Sequence, residues 1–525
     1  MIRGPVAVCL AVAFALACGC AGGDEERRSD VATSRPPVVV VILDELPTDD
    51  LLGPDGRIDA ERFPNFAELA SISTWFPNAY TVYDSTFKAV PDILDAQLPE
   101  RGTAPDVRSH QPSVFHLMNR LGYEIHKVES ATAVCPPRIC VGARARRPGV
   151  LDRLKGGGRP ARLHKWIGQI RPRARPAFYL HHALLPHEPW IYLPSGRPNR
   201  PYGEDPIEGI NSKASFGDAR LSEHNHMRHL LQVGYTDLEL GRLLDRLRRT
   251  GLLRRAALAV VADHGYAFDI GVQSRRLVSE ATIDEVGPVP FFLKAPGQMQ
   301  GEVDESLVRN IDLVPSIAEQ LGTRLWWRHD GRSVEAPETR ARDEMAIRTR
   351  DLRQVIRIGR DELEARRRAN RRRWARLFGT GAQSRLLFGD PWASVYRIGP
   401  HRTLLDRRVA ALDARPRAEA ATGNGVRAVI ANAALLRNVS GRAAIVPTRI
   451  TGRLEGRSRE GLRPLAVAVN GRIRAVGRSF RLGRRRATYF SFVIPESALR
   501  PGRNRAEVFE VDDGGRTLIS LGRVS

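Results

Sequence analysis

The most constraining feature of this chain is the run from Pro37 to Glu45, Pro-Val-Val-Val-Val-Ile-Leu-Asp-Glu. The run is apolar at every position until it ends on Asp44 and Glu45. A strand of this kind is typical of a parallel sheet that helices cover on both faces. Ligands of such sheets bind at the carboxyl ends of the strands. The run therefore predicts an α/β domain with a polar site at Asp44 and Glu45, unless the two carboxylates only cap the next turn.

The same pattern returns far downstream, where Leu258-Ala-Val-Val-Ala262 is followed by Asp263, His264 and Gly265. A carboxylate and an imidazole again follow an apolar strand, and the glycine permits a sharp exit from it. Two apolar strands of the chain thus end on side chains that bind metals.

Thr86 lies at a predicted helix start. Asp84 and Ser85 before it are good N-cap residues, and Pro91 follows within the helix region. Unpaired amides and the positive end of the dipole favour an anion such as phosphate or sulfate at this position. The alternative is that the hydroxyl only caps the helix.

A further apolar stretch, Pro176–Leu185, leads into a polar and aromatic turn that contains His187. Beyond it, apolar residues at helical spacing from Leu230 to Arg249 predict an amphipathic helix on the sheet. The sequence leaves two interpretations for His224, His226 and His229 at the start of that helix, which are a metal site and a solvated surface. For Cys135 and Cys140 it predicts a disulfide in an oxidising compartment.

Residues 1–22 have the features of a secretory signal peptide, with one charge at Arg3 followed by a short apolar stretch. Phe14-Ala-Leu-Ala-Cys18 resembles a bacterial lipobox, and Cys20 is an alternative acceptor of the lipid. Residues 23–36 are polar and predict a tether. We therefore expect an exported protein at the outer face of the cytoplasmic membrane or in the cell envelope.

The formal net charge is +23. A nucleic acid is not the expected partner, because no DNA- or RNA-binding motif is present and an exported protein meets anionic lipids and wall polymers first. Residues 336–425 are predicted to be an arginine-rich helical connector with short strands. Its helix, within Glu338–Phe378, is either an exposed connection or a patch that lies on anionic lipid.

From about Val426 the sequence alternates between apolar and polar residues and contains turn signals. Asn470-Gly471 between two such runs is the strongest of these signals and predicts a hairpin. Residues 426–525 are therefore predicted to form a C-terminal β-sandwich-like domain, which follows a catalytic domain over residues 37–335.

Several short motifs between residues 37 and 325 resemble, in their order, the sulfatase-type catalytic domain of the alkaline phosphatase superfamily. They are Leu-Asp44-Glu45, Phe76-Pro-Asn-Ala-Tyr80, Thr86 before Ala-Val-Pro91, Pro186-His187-Glu-Pro-Trp190, Ala262-Asp-His-Gly265, Val289-Pro-Phe-Phe-Leu-Lys294 and Ile311-Asp-Leu-Val-Pro-Ser316. The resemblance implies an alkaline phosphatase-like α/β fold, a mainly parallel sheet sandwiched by helices, with a divalent metal at the carboxyl edge.

By position, Asp44, Asp263 and His264 match the metal ligands of that family, and Glu45 stands where sulfatases have a second aspartate. Carboxylate oxygens with one imidazole favour Zn²⁺ or Mn²⁺, with Ca²⁺ and Mg²⁺ as alternatives.

Thr86 matches the nucleophile of the family, and His187 matches a residue that contacts the substrate oxyanion. Lys88 and Lys294 are further candidates for binding the oxyanion, or else surface and packing lysines. Sulfatases carry Cys or Ser, then any residue, Pro, any residue and Arg, whereas this window is Thr86-Phe-Lys-Ala-Val90. The window is instead similar to that of phosphoethanolamine transferases and lipoteichoic acid synthases.

The expected activity is attack by Thr86 on a phosphodiester of an anionic envelope lipid or polymer, with hydrolysis and transfer both open. A sulfuric ester hydrolase with an unusual nucleophile is one alternative. The other is an envelope-binding pseudoenzyme, which Asp95-Ala96 favours because the family usually has Thr-Gly there.

Overall fold

A computed structural model of the protein describes residues 35–140, 158–203, 205–272, 274–416, 425–456, 461–484, 486–512 and 514–524. The predicted signal peptide and nearly all of the predicted tether lie outside these residues. No helix in the described ranges is both long enough and apolar enough to cross a bilayer. The predicted domain boundaries stay predictions.

The strands are numbered in chain order. They are β1 Val38–Asp44, β2 Thr74–Trp75, β3 Glu124–Val128, β4 Ala177–Pro186, β5 Ala257–Ala262, β6 Phe291–Lys294, β7 Glu302–Val303, β8 Glu344–Arg348, β9 Val355–Gly359, β10 Asp413–Pro416, β11 Arg427–Ile430, β12 Arg449–Glu455, β13 Pro464–Val469, β14 Arg472–Arg478, β15 Thr488–Val493, β16 Ala506–Val511 and β17 Thr517–Val524.

The helices are numbered in the same way. They are α1 Pro64–Ile72, α2 Thr86–Asp95, α3 Val114–Arg120, α4 Arg159–Gln169, α5 Ala219–Arg249, α6 Ile283–Val286, α7 Leu313–Gln320, α8 Pro337–Arg340, α9 Arg360–Phe378 and α10 Gly381–Phe388.

The central sheet has the strand order β3-β4-β1-β5-β6-β2-β7. Its strands are parallel except β6, which runs antiparallel to β5 and β2. Along β1, Val39, Val41 and Leu43 belong to one apolar core, and Val38, Val40 and Ile42 belong to the core on the opposite face. Both faces of β1 are therefore buried, which confirms the predicted mainly parallel sheet between helices.

The parallel register brings three strand ends to one edge of this sheet. Leu43 in β1 pairs with Ala262 in β5, and Asp44 pairs with Pro186 in β4 after an irregularity in the ladder. Asp44, His187 and Asp263 therefore all lie at the carboxyl edge.

The long helix α5 packs on β4 and α1, and the histidines at its start are buried rather than solvated. His226 Nε2 lies 2.7 Å from Asp50 Oδ1, and His229 Nδ1 lies 2.8 Å from Asp50 Oδ2. His224 Nε2 lies 2.9 Å from the Ser491 hydroxyl in β15. The interpretation of a solvated surface is wrong because each imidazole has a buried polar partner.

The predicted arginine-rich connector begins with the short helix α8, followed by the β8–β9 hairpin and then by α9 and α10. The helix α9 is only partly an exposed connection, because Arg367 and Arg371 are buried. Arg367 donates to both carboxylate oxygens of Asp49, at 2.9 to 3.2 Å, and Arg371 Nη1 donates to Asp49 Oδ1 at 3.2 Å. The connector is therefore fixed to the turn that follows β1 and Glu45.

Replacing Arg367 by methionine is expected to lower the free energy of unfolding by about 3 kcal/mol, because Asp49 loses a buried partner and keeps only Arg371. Urea denaturation measures this change. Arg368→Met is the matched control, since Arg368 is 52% exposed and its distance to Glu364 is 3.4 Å, and we expect it to change stability by less than about 0.5 kcal/mol. Equal effects of the two substitutions would contradict the buried pair.

The C-terminal strands form a sheet of order β10-β17-β16-β13-β14 and a sheet of order β11-β12-β15. Ile450 and Phe490 from the second sheet share one apolar core with Val467 and Val508 from the first, which confirms a sandwich-like module. The hairpin predicted at Asn470-Gly471 joins β13 to β14.

Candidate active site

Two aspartates form the centre of the carboxyl edge. Asp44 ends β1, and Asp263 directly follows β5. The Asp263 Oδ1 atom accepts hydrogen bonds from the Glu45 amide at 3.2 Å and from the His264 amide at 2.7 Å. All of these side chains are at most 1% exposed. The fold therefore gathers the four predicted metal ligands in a dry environment.

Thr86 is the first residue of α2 and reaches this centre. Its hydroxyl lies 3.4 Å from Asp44 Oδ1 and 3.2 Å from His264 Nε2. Ser85 is the N-cap, as predicted, but its side chain makes no capping hydrogen bond. The Thr86 hydroxyl, at the start of the helix, thus faces the acidic centre.

The tautomer of His264 follows from its other ring nitrogen. Nδ1 lies 2.9 Å from the Gly265 carbonyl oxygen and donates to it, so Nε2 carries the lone pair that faces Thr86. Gly265 is required at its position, because a Cβ atom there would lie 2.3 Å from the Glu285 carbonyl oxygen.

His187, the other predicted catalytic residue, lies beside Glu45. Its Nδ1 donates to the Glu188 carbonyl oxygen at 2.6 Å, and its Nε2 lies 3.4 Å from Glu45 Oε1. Gln232 Nε2 donates to the His187 carbonyl oxygen at 2.9 Å, and Arg159 donates to the same oxygen at 2.5 Å. These buried donors fix the turn that presents the imidazole.

Two arginines that the sequence did not indicate lie next to predicted site residues. Arg276 pairs with Glu45 and, at 3.2 Å, with Glu188, while about a third of its side chain stays exposed. Arg350, in the turn between β8 and β9, donates to Asp84 Oδ1 at 2.9 Å. Both come from loops without any periodic pattern, so only the folded chain reveals them.

His182 is a further residue that the sequence analysis did not select. It lies in β4 opposite Ile42, its side chain is fully buried, and its Nε2 is 3.4 Å from Asp44 Oδ2. Neither ring nitrogen has a hydrogen-bond partner among the described residues. In the sequence, only its position within a mostly apolar strand could have indicated His182.

The backbone at Glu45 is held in an unusual conformation. Its φ of +64° lies in the left-handed region, which is uncommon for a residue other than glycine. The Glu45 amide donates to Asp263, and the Glu45 carbonyl oxygen accepts from His229 Nε2 at 3.0 Å. His229 in turn contacts Asp50, so this buried pair positions Glu45 rather than forming a separate metal site.

The pKa values of the buried carboxyl groups are strongly shifted. Burial, with the neighbouring Asp44, raises the pKa of Asp263 to about 8. Burial raises the pKa of Glu45 well above its usual value, although Arg276 opposes this. Burial would also raise the pKa of Asp44, but the nearby His187 and His182 outweigh it and lower that pKa. Adjacent buried carboxyl groups of this kind favour a cation between them.

The residues fit a divalent metal by their chemistry. Ligand atoms of Asp44, His182 and Asp263 lie within 4.8 Å of one another, as do those of Asp44, Glu45 and His187. The buried oxygens Asp44 Oδ2 and Asp263 Oδ2 lack hydrogen-bond partners among the described residues, whereas Glu45 already pairs with Arg276. Buried carboxylates without partners are costly, and a bound cation would satisfy them.

The two lysine candidates do not reach this centre. Lys88 Nζ donates to the Glu100 carbonyl oxygen at 2.5 Å and to the Thr103 hydroxyl at 2.7 Å. Lys294 ends the antiparallel strand β6, so its Nζ contacts carbonyl oxygens of Arg254 and Ala256 at the opposite edge of the sheet. Neither lysine therefore binds the oxyanion, and both are surface or packing lysines.

Asp95-Ala96, where the family usually has Thr-Gly, lies at the far end of α2 from Thr86, about 14 Å along the helix axis. Asp95 Oδ2 lies 2.7 Å from His110 Nδ1, so the buried carboxyl group has its own partner. Ala96 adopts the left-handed conformation, with φ at +61°, and ends the helix. The departure therefore changes a helix end rather than the centre around Thr86.

Comparisons with known proteins find sulfatases. Residues 161–323 match the sulfatase family model. A choline-sulfatase from Rhizobium meliloti is 22% identical over 365 residues, which span 56% of this chain and 69% of that protein. An endo-4-O-sulfatase from Bacteroides thetaiotaomicron is 22% identical over 174 residues, which span 31% of this chain and 32% of that protein.

Among solved structures, a phosphonate monoester hydrolase from Silicibacter pomeroyi is 19% identical and covers 60% of this chain and 79% of its own, with a TM-score of 0.39. The matched region of the sulfatase model contains His182, His187, Asp263 and His264. Residues 161–323 are therefore similar to sulfatases, which supports a sulfatase-like hydrolase.

Proposed function

We propose that this protein is a metal-dependent hydrolase or transferase that attacks a phosphodiester of an anionic cell-envelope lipid or polymer through Thr86. The observation that carries the proposal is the position of the Thr86 hydroxyl, 3.4 Å from Asp44 and 3.2 Å from His264 at the start of α2. The similarity of this window to phosphoethanolamine transferases and lipoteichoic acid synthases stays a prediction from the sequence.

Asp44, Asp263, His264 and Glu45 would hold the metal, with His182 as an added candidate. Zn²⁺ or Mn²⁺ suits this donor set best, and Ca²⁺ or Mg²⁺ is the alternative. When bound, the ion neutralises negative charge on the transferred group and lowers the pKa of a nearby hydroxyl.

The protein groups act as follows in this proposal. The Thr86 oxygen forms a bond to phosphorus while the bond from phosphorus to the leaving oxygen breaks, and the hydroxyl proton passes to water, because His264 Nε2 would bind the metal. The leaving oxygen takes a proton from water. Water or an acceptor hydroxyl then displaces Thr86, and this choice separates hydrolysis from transfer.

The anionic group would be oriented by the helix terminus of α2, and His187 could donate to it only as the protonated imidazole, because its Nδ1 already donates to Glu188. Arg276 keeps an exposed part beside His187, at 3.4 Å between Nη2 and Nε2. Phe87, next to the nucleophile, is 43% exposed and offers an apolar contact. A cationic and an apolar contact beside one nucleophile favour an amphiphilic, anionic substrate.

A sulfuric ester is the second candidate substrate, because the family model and both relatives are sulfatases. Metal-reconstituted protein should be assayed on aryl phosphodiester, phosphomonoester and sulfate esters. We expect the diester to have the highest kcat/KM, by at least about tenfold. Faster turnover of the sulfate ester would favour the second candidate, and metal binding without turnover would favour a pseudoenzyme.

The proposal places the protein at the outer face of the cytoplasmic membrane, held through a lipid on Cys18 or Cys20. The sequence of the leader supports this location. Palmitate labelling of Cys18→Ala and Cys20→Ala variants tests it, since labelling should be lost in only one of them. Labelling of neither the natural chain nor the variants would contradict the anchor.

A further inference from the structure

The two most exposed large apolar side chains of the described residues lie side by side at the end of α10. Leu386 is 85% exposed, Leu387 is 70% exposed, and the adjacent Phe388 is 43% exposed. Residues 385–390 are all exposed, so this segment, which we call the α10 tip, projects from the surface. Contiguous exposed apolar side chains mark sites of contact with a protein or a membrane.

Basic residues accompany the α10 tip. Between residues 365 and 389 the sequence has eight arginines, six of which pair with aspartate or glutamate side chains outside this stretch. Arg372 and Arg376 in α9 are exposed, and no ion pair is described for either. The Arg397 guanidinium lies 4.7 Å from the centre of the Phe388 ring. The apolar tip thus extends from a cationic part of the molecule.

The size of the α10 tip favours a bilayer over a protein partner. A stable protein interface buries about 800 Å² on each partner, which three adjacent side chains at the end of one helix do not supply. Three such side chains do suffice to enter the boundary between headgroups and acyl chains. The net charge of +23 favours anionic lipid, because each basic side chain near such a surface adds attraction.

We propose that Leu386, Leu387 and Phe388 insert into the interface of an anionic lipid bilayer, with Arg372 and Arg376 on the headgroups. This contact belongs to the folded body and is separate from any lipid on the leader. The inference does not depend on which ester the active site attacks.

Vesicle sedimentation tests the proposal on residues 36–525, which form a compact unit with their own apolar cores. The vesicles contain phosphatidylcholine alone or an equimolar mixture with phosphatidylglycerol. The natural unit should bind the mixed vesicles and release them as salt rises. Leu386→Ser, Leu387→Ser and Phe388→Ser together should weaken binding by about 10²-fold or more, since each buried apolar side chain contributes about tenfold.

The matched control replaces two exposed apolar residues elsewhere, Ile270→Ser with Val303→Ser, each 57% exposed in the natural chain. This control should bind vesicles like the natural unit, and thermal unfolding should show that both variants are folded.

A second readout places an environment-sensitive fluorophore on a Leu387→Cys variant. Its thiol is the only free one in residues 36–525, because Cys135 and Cys140 are joined in a disulfide. Mixed vesicles should shift the emission to the blue and raise its intensity. Equal vesicle binding by the natural unit and the triple variant would overturn the proposal, as would unchanged emission. If the natural unit forms a dimer and the triple variant does not, the α10 tip is a protein interface and the proposal is overturned.

Discussion

Replacing Thr86 by alanine is expected to lower kcat/KM by at least about 10³-fold, because it removes the hydroxyl that lies between Asp44 and His264 and is the proposed nucleophile. The substitution removes one oxygen and leaves the predicted ligands intact. Turnover of the preferred aryl ester by metal-loaded protein measures the effect.

The control for this prediction is Thr86→Ser, which keeps the hydroxyl and should retain activity within about tenfold of the natural enzyme. Metal affinity should be similar in all three proteins, because Thr86 is not among the predicted ligands. Turnover by the alanine variant near the natural rate would contradict the role of Thr86 as nucleophile.

Replacing Asp44 by asparagine is expected to abolish metal-induced stabilisation and to lower kcat/KM by at least about 10²-fold. Asp44 contributes to both groups of candidate ligands, so its loss affects each of them. In the natural protein, metal at about a hundredfold excess over its Kd should raise the free energy of unfolding by about 2.7 kcal/mol. Unfolding with and without Zn²⁺ or Mn²⁺ measures the difference.

Asp237→Asn is the control, because Asp237 is buried but caps the start of α1 through the amides of Asn65 and Phe66. It should lower stability in the absence of metal and yet keep the full metal-induced increase. If Asp44→Asn keeps that increase as well, the metal binds elsewhere.

The main elements of the fold follow from short patterns in the sequence. The apolar runs before Asp44 and Asp263 predict strands that are buried on both faces, and a parallel sheet brings their carboxyl ends to one edge. The start of α2 at Thr86 is equally local, because it depends on the residues that precede the helix. These positions were predictable since each depends on its neighbours in the chain.

Residues that depend on distant partners were not predictable in the same way. His182 faces Asp44 only because β4 pairs with β1 in one register, and Arg276 reaches Glu45 from a loop. His226 and His229 are buried because Asp50, from the turn after β1, lies between them. A single sequence contains no local signal for such long-range polar pairs.

The contacts of the arginine-rich connector were also not predictable from the sequence. Its composition indicates a helix, and α9 is present, but composition does not show which arginines face inward. Arg367 and Arg371 contact Asp49, whereas Arg372 and Arg376 stay exposed. The division follows from the packing of α9 against the turn that leads from Glu45.

The most direct test of the account is anomalous diffraction from crystals of the protein grown with Mn²⁺ or Zn²⁺. A peak is expected within bonding distance, about 2.0–2.3 Å, of carboxylate oxygens of Asp44 and Asp263, on the side that faces Thr86. A metal peak away from both aspartates would contradict this expectation. So would the absence of a peak, if the protein binds the metal stoichiometrically in solution.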